Sequence, residues 1–288
     1  MGTHYSDAYQ ANYISGNVYA ITGGGSGFGQ ATAVEIVKMG GKVAIMGRRM
    51  DRLQKTLDMI TDLGKGDCAI AFEGDVSKYE DNVAFVQKTV ETFGKLDAFF
   101  ANAGIMPNAY FCEHATALKE WDRCIDINLK GNLFGMCASY DQFKKQQYGH
   151  FLTTSSIHGN FPTAGASVYS ATKIAIRYMA QSFATENSGL IKTTVINPTG
   201  ISTTDLFSTI VDSNHPEGIF GGNLVAFYEK AQKLESGEEP ELGDVNSIKY
   251  AAINTDDMVR SIMYALNQPK GISIGDITVY TANNDFIL

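Results

Sequence analysis

The stretch Gly23-Gly24-Gly25-Ser26-Gly27-Phe28-Gly29 sits between a short apolar run, Asn17 to Thr22, and a helical pattern from Gln30 to Met39. That junction constrains the chain more than any other. Ala33, Ile36 and Val37 fall at i, i+3 and i+4 and give the helix one apolar face. A second apolar run, Lys42 to Met46, follows, and then a charged helix from about Arg49 to Leu63. Strand, glycine turn, helix, strand is a βαβ unit. Glycines let backbone N–H groups approach a ligand, and a helix N-terminus favours negative charge, so the junction is a candidate phosphate site.

The alternation continues along the chain. Strands are expected at Cys68–Phe72, Leu96–Phe100, His150–Thr154, Thr193–Ile196 and Ile277–Tyr280, and helices at Tyr79–Phe93, about Lys119–Lys145, around Tyr169, and Thr255–Asn267. Strands with few polar interruptions, spaced by helices, imply a parallel sheet covered on both faces. The fold class is therefore α/β, a Rossmann-type doubly wound parallel sheet in a single domain spanning 1–288. Residues 1–16 form an N-terminal extension. Residues 201–254 lose the βαβ rhythm while keeping large apolar side chains, which marks them as a substrate loop or lid.

Composition narrows the function. The 288 residues carry 23 Lys and Arg against 31 Asp and Glu, a net charge of −8, with no basic run to bind nucleic acid. No apolar stretch approaches the ~20 residues that span a bilayer. The N-terminus lacks a basic region followed by an apolar core, so a cytoplasmic protein is expected. Cys68, Cys112, Cys124 and Cys137 form no CxxC pair, and nothing resembles HExxH, so no metal is expected.

Tyr169 and Lys173 stand four positions apart, so on a helix they share a face. Ser156 lies thirteen residues earlier, at the end of a strand, so three polar heads can converge on one small oxygen. The glycines do not fit GxGxxG, because Phe28 stands where the third glycine belongs, and Gln30 replaces the P-loop lysine. They fit TGxxxGxG through Thr22, Gly23, Gly27 and Gly29. With Asp75-Val76, Asn102-Ala103-Gly104, Asn128, Ser156, Tyr169 with Lys173, and Pro198 with Thr203 in order, residues 15–282 resemble the short-chain dehydrogenase/reductase family.

The resemblance implies roles. Tyr169 acts as general acid in ketone reduction and as base in alcohol oxidation, with Lys173 lowering the phenol's pKa from its usual ~10. Ser156 holds the substrate oxygen, and Asn128 completes a proton relay through water. For the cofactor, Gly23, Gly27, Phe28 and Gly29 line the pyrophosphate. Asp75 and Val76 contact adenine, Asn102 with Ala103 and Gly104 braces the strand beside the ribose, and Ile201 and Thr203 reach the nicotinamide carboxamide. Tyr169, Lys173 and Pro198 also border the cofactor. The family usually has Pro-Gly where this chain has Pro198-Thr199-Gly200.

Cofactor choice turns on Gly47-Arg48. NAD-dependent members tend to carry an acid at the position of Gly47, and a guanidinium at Arg48 can clamp a 2′-phosphate, so the chain leans to NADP(H) with NAD(H) left open. His158, two residues past Ser156, is placed at the substrate mouth. Leu206, Phe207, Phe220, Leu224, Phe227 and Tyr228, with Met106, Tyr110, Ile157 and Phe161, supply a large apolar pocket. That pocket resembles those of the hydroxysteroid dehydrogenases, and the N-terminal extension resembles the bacterial 20β type. The expected activity is NAD(P)(H)-dependent interconversion of a bulky ketone and a secondary alcohol by a homotetramer. The alternatives are a 3-oxoacyl thioester reductase and a non-catalytic dinucleotide-binding sensor. A sugar-nucleotide epimerase would need glycine where Ser26 stands.

Overall fold

A computed structural model describes residues 11–199, 205–211 and 223–285. Seven strands form one sheet: β1 (Val18–Thr22), β2 (Lys42–Gly47), β3 (Ala69–Glu73), β4 (Ala98–Ala101), β5 (Gly149–Thr154), β6 (Ile191–Pro198) and β7 (Asp276–Val279). Their order is β3-β2-β1-β4-β5-β6-β7, and every neighbouring pair is parallel. The order reverses between β1 and β4. In open α/β sheets the crevice outside the strand ends at such a reversal is where ligands bind.

Parallel strands need crossovers, and helices supply them. These are α1 (Gly27–Lys38), α2 (Met50–Asp62), α3 (Tyr79–Phe93), α4 (His114–Cys124), α5 (Gly131–Gln146), α6 (Ser167–Glu186), α7 (Leu224–Ser236) and α8 (Thr255–Leu266). Two apolar clusters fill the two faces of the sheet. One joins Ile21, Ile36, Val43, Ile45, Leu53, Ile60 and Ile262, beneath α1, α2 and α8. The other joins Met46, Phe85, Phe99, Phe143, Phe151 and Val195, beneath α3, α5 and α6. Phe99 and Phe151, on adjacent strands, stack with centroids 5.7 Å apart. Each such ring contributes about 1.5–3 kcal/mol of burial.

The long helix expected at Lys119–Lys145 is found as one unbroken helical run from His114 to Gln146 with a change of winding inside it. Between α4 and α5, Ile125–Lys130 wind as a π-helical segment, and Asn128 lies inside it, wholly buried. Such segments recur at functional sites because they re-aim side chains within a continuous helix.

The expected loop at 201–254 has structure of its own, with a 3₁₀ turn at Asp205–Thr209, α7, and a second turn at Pro240–Gly243. Ile201, Thr203 and Phe220 lie outside the described residues, as do the side chains of Phe207 and Leu224. The N-terminal extension is described from Ala11. Tyr13 N–H donates to Asn267 Oδ1 at 2.7 Å, and Ile14 is fully buried, so this end is docked on the domain.

Candidate active site

Ser156 follows β5 with an extended backbone and caps the short turn Ile157–Gly159. Its Oγ accepts the His158 N–H at 3.2 Å. Tyr169 enters from the first turn of α6 and shares a hydrogen bond with the Ser156 side chain. Lys173 follows one turn on. Its Nζ lies 5.5 Å from the centre of the Tyr169 ring and donates to the Thr154 carbonyl at 2.7 Å. All three side chains are buried, so the Ser, Tyr and Lys named from spacing do meet.

Burial sets their ionisation. It raises the Tyr169 phenol above its usual range, with the Ser156 bond as the lowering influence. The lowering expected from Lys173 is not among the influences on the phenol, where desolvation dominates. Desolvation also brings the Lys173 ammonium down to about 8, so it sheds a proton far more readily than a surface lysine.

Asn128 is held on four sides. Its Oδ1 accepts the Ile105 N–H at 2.9 Å, and its Nδ2 donates to the Ile105 carbonyl, the Thr172 hydroxyl and the Cys124 thiol. Gly104 stands between Asn128 and Lys173: a Cβ there would lie 3.3 Å from Asn128 Oδ1 and 3.6 Å from Lys173 Nζ. The missing side chain leaves a gap between the two polar heads.

Across the sheet reversal, the glycine junction forms a cradle. Gly23 and Gly27 both have positive φ, at +69° and +52°. A Cβ on Gly29 would fall 2.4 Å from the Gly23 carbonyl oxygen, so no other residue fits without movement. Ser26 precedes α1 without capping it through its side chain, and the first turn carries no acid. The α1 N-terminus, beside backbone that no side chain covers, suits a pyrophosphate. Thr22 Oγ1 accepts the N–H groups of Asn102 and Ala103 at 3.0 and 3.1 Å, tying the ends of β1 and β4 together. Asn102 also receives the Thr154 hydroxyl from β5.

Arg48, where an adenine ribose is expected, is exposed beyond β2. Asp75 Oδ1 accepts both the N–H and the hydroxyl of Ser77. Desolvation opposes ionisation of Asp75, yet the Ser77 bonds and the Arg48 charge hold it below the ordinary carboxylate value. Val76 is buried against Gly131, and Pro198 ends β6 inside the core.

The His158 ring stands edge-on to Tyr169, centroids 5.5 Å apart, and Nδ1 is buried with no partner among the described residues. Desolvation, then the Lys173 charge, brings it down to about 4, so it is neutral at physiological pH. His158 and Phe161 line an open cleft of about 500 Å³ with Ser167, Ser170, Ala171 and Ile174. These α6 positions interleave with Tyr169 and Lys173, Ser170 standing three before Lys173. On the Tyr169 side, Ile157 and Met106 are buried, and Met106 N–H donates to Thr209 Oγ1 at 2.8 Å. Leu206 and Ile210 pack against the cluster that contains Met106 and Tyr169. Tyr228 is instead half in solvent.

Sequence reasoning missed Thr154, whose carbonyl anchors Lys173, and Cys124, Thr172 and Asn132, which surround Asn128. None belongs to a recognisable spacing. Among the described residues no group of three or more His, Cys, Asp or Glu is placed to hold a metal ion, and no helix is long and apolar enough to cross a membrane.

Comparison with known proteins agrees with this geometry. The family model for short chain dehydrogenase matches residues 17–214. An uncharacterized oxidoreductase of Listeria innocua is 35% identical over 271 residues, covering 92% of this chain and 96% of that protein. An 11-beta-hydroxysteroid dehydrogenase-like protein of Arabidopsis thaliana is 36% identical over 190 residues, 66% of this chain and 61% of its own length. Among solved structures, an alcohol dehydrogenase of Thermococcus sibiricus complexed with 5-hydroxy-NADP superposes with a TM-score of 0.73 at 22% identity, covering 93% of this chain and 97% of that one. With the glycine cradle, the buried Ser156, Tyr169 and Lys173, and a family match over most of its length, the chain belongs to the short-chain dehydrogenase/reductase family of NAD(P)-dependent oxidoreductases.

Proposed function

We propose that the protein interconverts a bulky apolar ketone and its secondary alcohol, with a hydroxysteroid-like molecule as the substrate class. The observation that carries the chemistry is the convergence of Ser156, Tyr169 and Lys173 in one buried site. Ser156 donates a hydrogen bond to the substrate oxygen and stabilises the negative charge that develops there. Tyr169 Oη delivers the proton to that oxygen in reduction and removes it in oxidation. Lys173 holds the ribose and passes the proton on, and Asn128 holds the far end of the relay across the gap at Gly104. When bound, the nicotinamide supplies or takes up the hydride.

Gly23, Gly27, Phe28 and Gly29 would hold the pyrophosphate, with Asp75, Val76, Asn102, Ala103, Pro198, Ile201 and Thr203 along the rest of the cofactor. Exposed Arg48 and the absence of an acid at Gly47 support NADP(H) over NAD(H). The apolar substrate reading is supported by Met106, Leu206 and Ile210, which share an apolar cluster with Tyr169, and by the name of the Arabidopsis relative. We also take the protein to be a cytoplasmic homotetramer. Exposed Leu133 on α5 and Tyr178 on α6 support association, and light scattering tests it.

The test follows nicotinamide absorbance with NADPH and NADH against a steroid ketone, a bile-acid ketone and acetoacetyl thioester. The steroid or bile-acid ketone should give the highest kcat/KM. A thioester preferred about tenfold or more would replace the steroid reading with a 3-oxoacyl thioester reductase, since a tenfold preference is 1.4 kcal/mol of transition-state discrimination. Cofactor binding with no turnover of any carbonyl compound would leave a dinucleotide sensor.

A further inference from the structure

Asn132 lies on the buried side of α5 and is 3% exposed. An apolar side chain fills such a position without penalty, whereas a buried amide is costly unless its polar atoms are paired. Both are paired here, and both bonds reach towards the site. Nδ2 donates to the Asn128 carbonyl at 2.7 Å, inside the π-helical segment. Oδ1 accepts the hydroxyl of Thr153, which is fully buried on β5. The residue after Thr153 is Thr154, whose carbonyl holds Lys173 Nζ. From Asn128 the contacts continue to Ile105 and to Thr172, the neighbour of Lys173. One amide therefore joins the segment that carries Asn128 to the strand end that holds the Lys173 ammonium.

We propose that Asn132 is a positioning residue for the proton relay: it clamps the π-helical segment to the end of β5, fixing Asn128 relative to Lys173. Asn132 itself touches none of the reacting groups. The proposal rests on the reading of Ser156, Tyr169 and Lys173 as those groups. Its consequence is specific. Loss of the clamp lets Asn128 drift from the Ile105 amide and slows proton delivery, while the glycine cradle, at the end of β1 two strands from β5, keeps its own contacts.

Two substitutions at Thr153 separate positioning from packing. Thr153→Val keeps the shape and removes the hydroxyl; Thr153→Ser keeps the hydroxyl and removes a methyl. Asn132→Val removes the clamp from the other side. Thr153→Val and Asn132→Val should each lower kcat by about tenfold, the size of a lost buried hydrogen bond, with cofactor Kd unchanged and Thr153→Ser close to wild type. By amide hydrogen exchange, Ile105 should lose protection in the two valine variants by a similar factor relative to Ala20 and Ile21 of β1. Equal losses in the serine and valine variants, or an Ile105 amide that exchanges in step with β1, would overturn the proposal. A wild-type enzyme inert towards every carbonyl compound would refute the catalytic reading instead, and the exchange at Ile105 would still decide the role of Asn132.

Discussion

The two ends of the sheet carry nearly the same side chains and do different work. At the C-terminal ends of the strands stand Tyr169, Lys173 and His158. At the N-terminal ends stand Tyr19, Tyr148, Lys192 and His150. Ionisation does not tell them apart: burial brings Lys173 and Lys192 each down to about 8, lowers both histidines, and pushes Tyr148 up to about 12. The surroundings do. At the N-terminal end the polar groups are committed. Asp97 accepts the Val18 N–H and pairs with Lys95, His150 Nε2 meets the Thr194 hydroxyl, and Lys192 donates to the Pro269 carbonyl. The cavity among Tyr19, Asp97, Tyr148 and His150 measures only about 90 Å³. At the C-terminal end the same kinds of group face backbone opened by glycine. A shifted pKa marks burial; an uncovered approach beside it marks a site.

Removing one hydroxyl at each end tests that contrast most sharply. Tyr169→Phe should cut turnover by roughly 10²–10⁴ with cofactor still bound, since that is the reach of acid–base assistance. Tyr19→Phe should leave kcat per folded molecule unchanged. Comparable turnover in the two variants would erase the distinction.

Glycines give the next largest effect. In Gly29→Ala the new methyl meets the Gly23 carbonyl oxygen, so cofactor Kd, read by NADPH fluorescence, should weaken by about tenfold or more. In Gly149→Ala, at the opposite end, the methyl falls 2.1 Å from Phe143 Cγ, so stability should drop by about 1–3 kcal/mol in a urea titration while cofactor affinity survives. Cofactor binding lost equally in both would refute the cradle. At Gly47 a Cβ meets only Leu53, at 3.4 Å, so Gly47→Asp is accommodated. It should move preference towards NADH several-fold by repelling a 2′-phosphate, unless wild type already favours NADH, which would end the Arg48 argument.

The smallest effect is in pH. His158 titrates at about 4 in the fold and near 6.5 unfolded, so between those values the unfolded chain binds the extra proton and stability falls as pH drops. The slope is at most about 1.4 kcal/mol per pH unit. His158→Asn should flatten the stability curve over pH 6.5 to 4; an unchanged curve would assign the acid sensitivity to His150 or to carboxylates.

Much of this was legible in the sequence, because strands in a parallel sheet are nearly uniform in apolarity and their crossovers repeat. β1, β2 and α1 fall within a residue or a few of their expected bounds. The Ser156, Tyr169 and Lys173 convergence was readable because one turn of helix fixes one spacing and the end of a strand fixes the third point. The π-helical segment was not. Ile125–Lys130 contains neither proline nor glycine, and its extra residue per turn is held by Asn128 reaching Ile105, a contact across 23 positions. The ring contact of His158 with Tyr169 was not legible either, since it depends on the turn at Ile157–Gly159.

The strand order has a consequence for how the chain comes into being. β1 pairs with β2 almost at once, Val18 beside Lys42, but its other neighbour is β4, with Tyr19 beside Ala98. A nascent chain that has emerged only through β3 therefore presents a strand that is wholly buried in the finished sheet as a bare edge, open to pairing with any other extended segment. The strand that leads into the glycine junction is the one most exposed to misassembly while most of the chain is still unmade. Slow synthesis between Glu73 and Ala98 would lengthen that exposure, and a chaperone would be needed most over those residues.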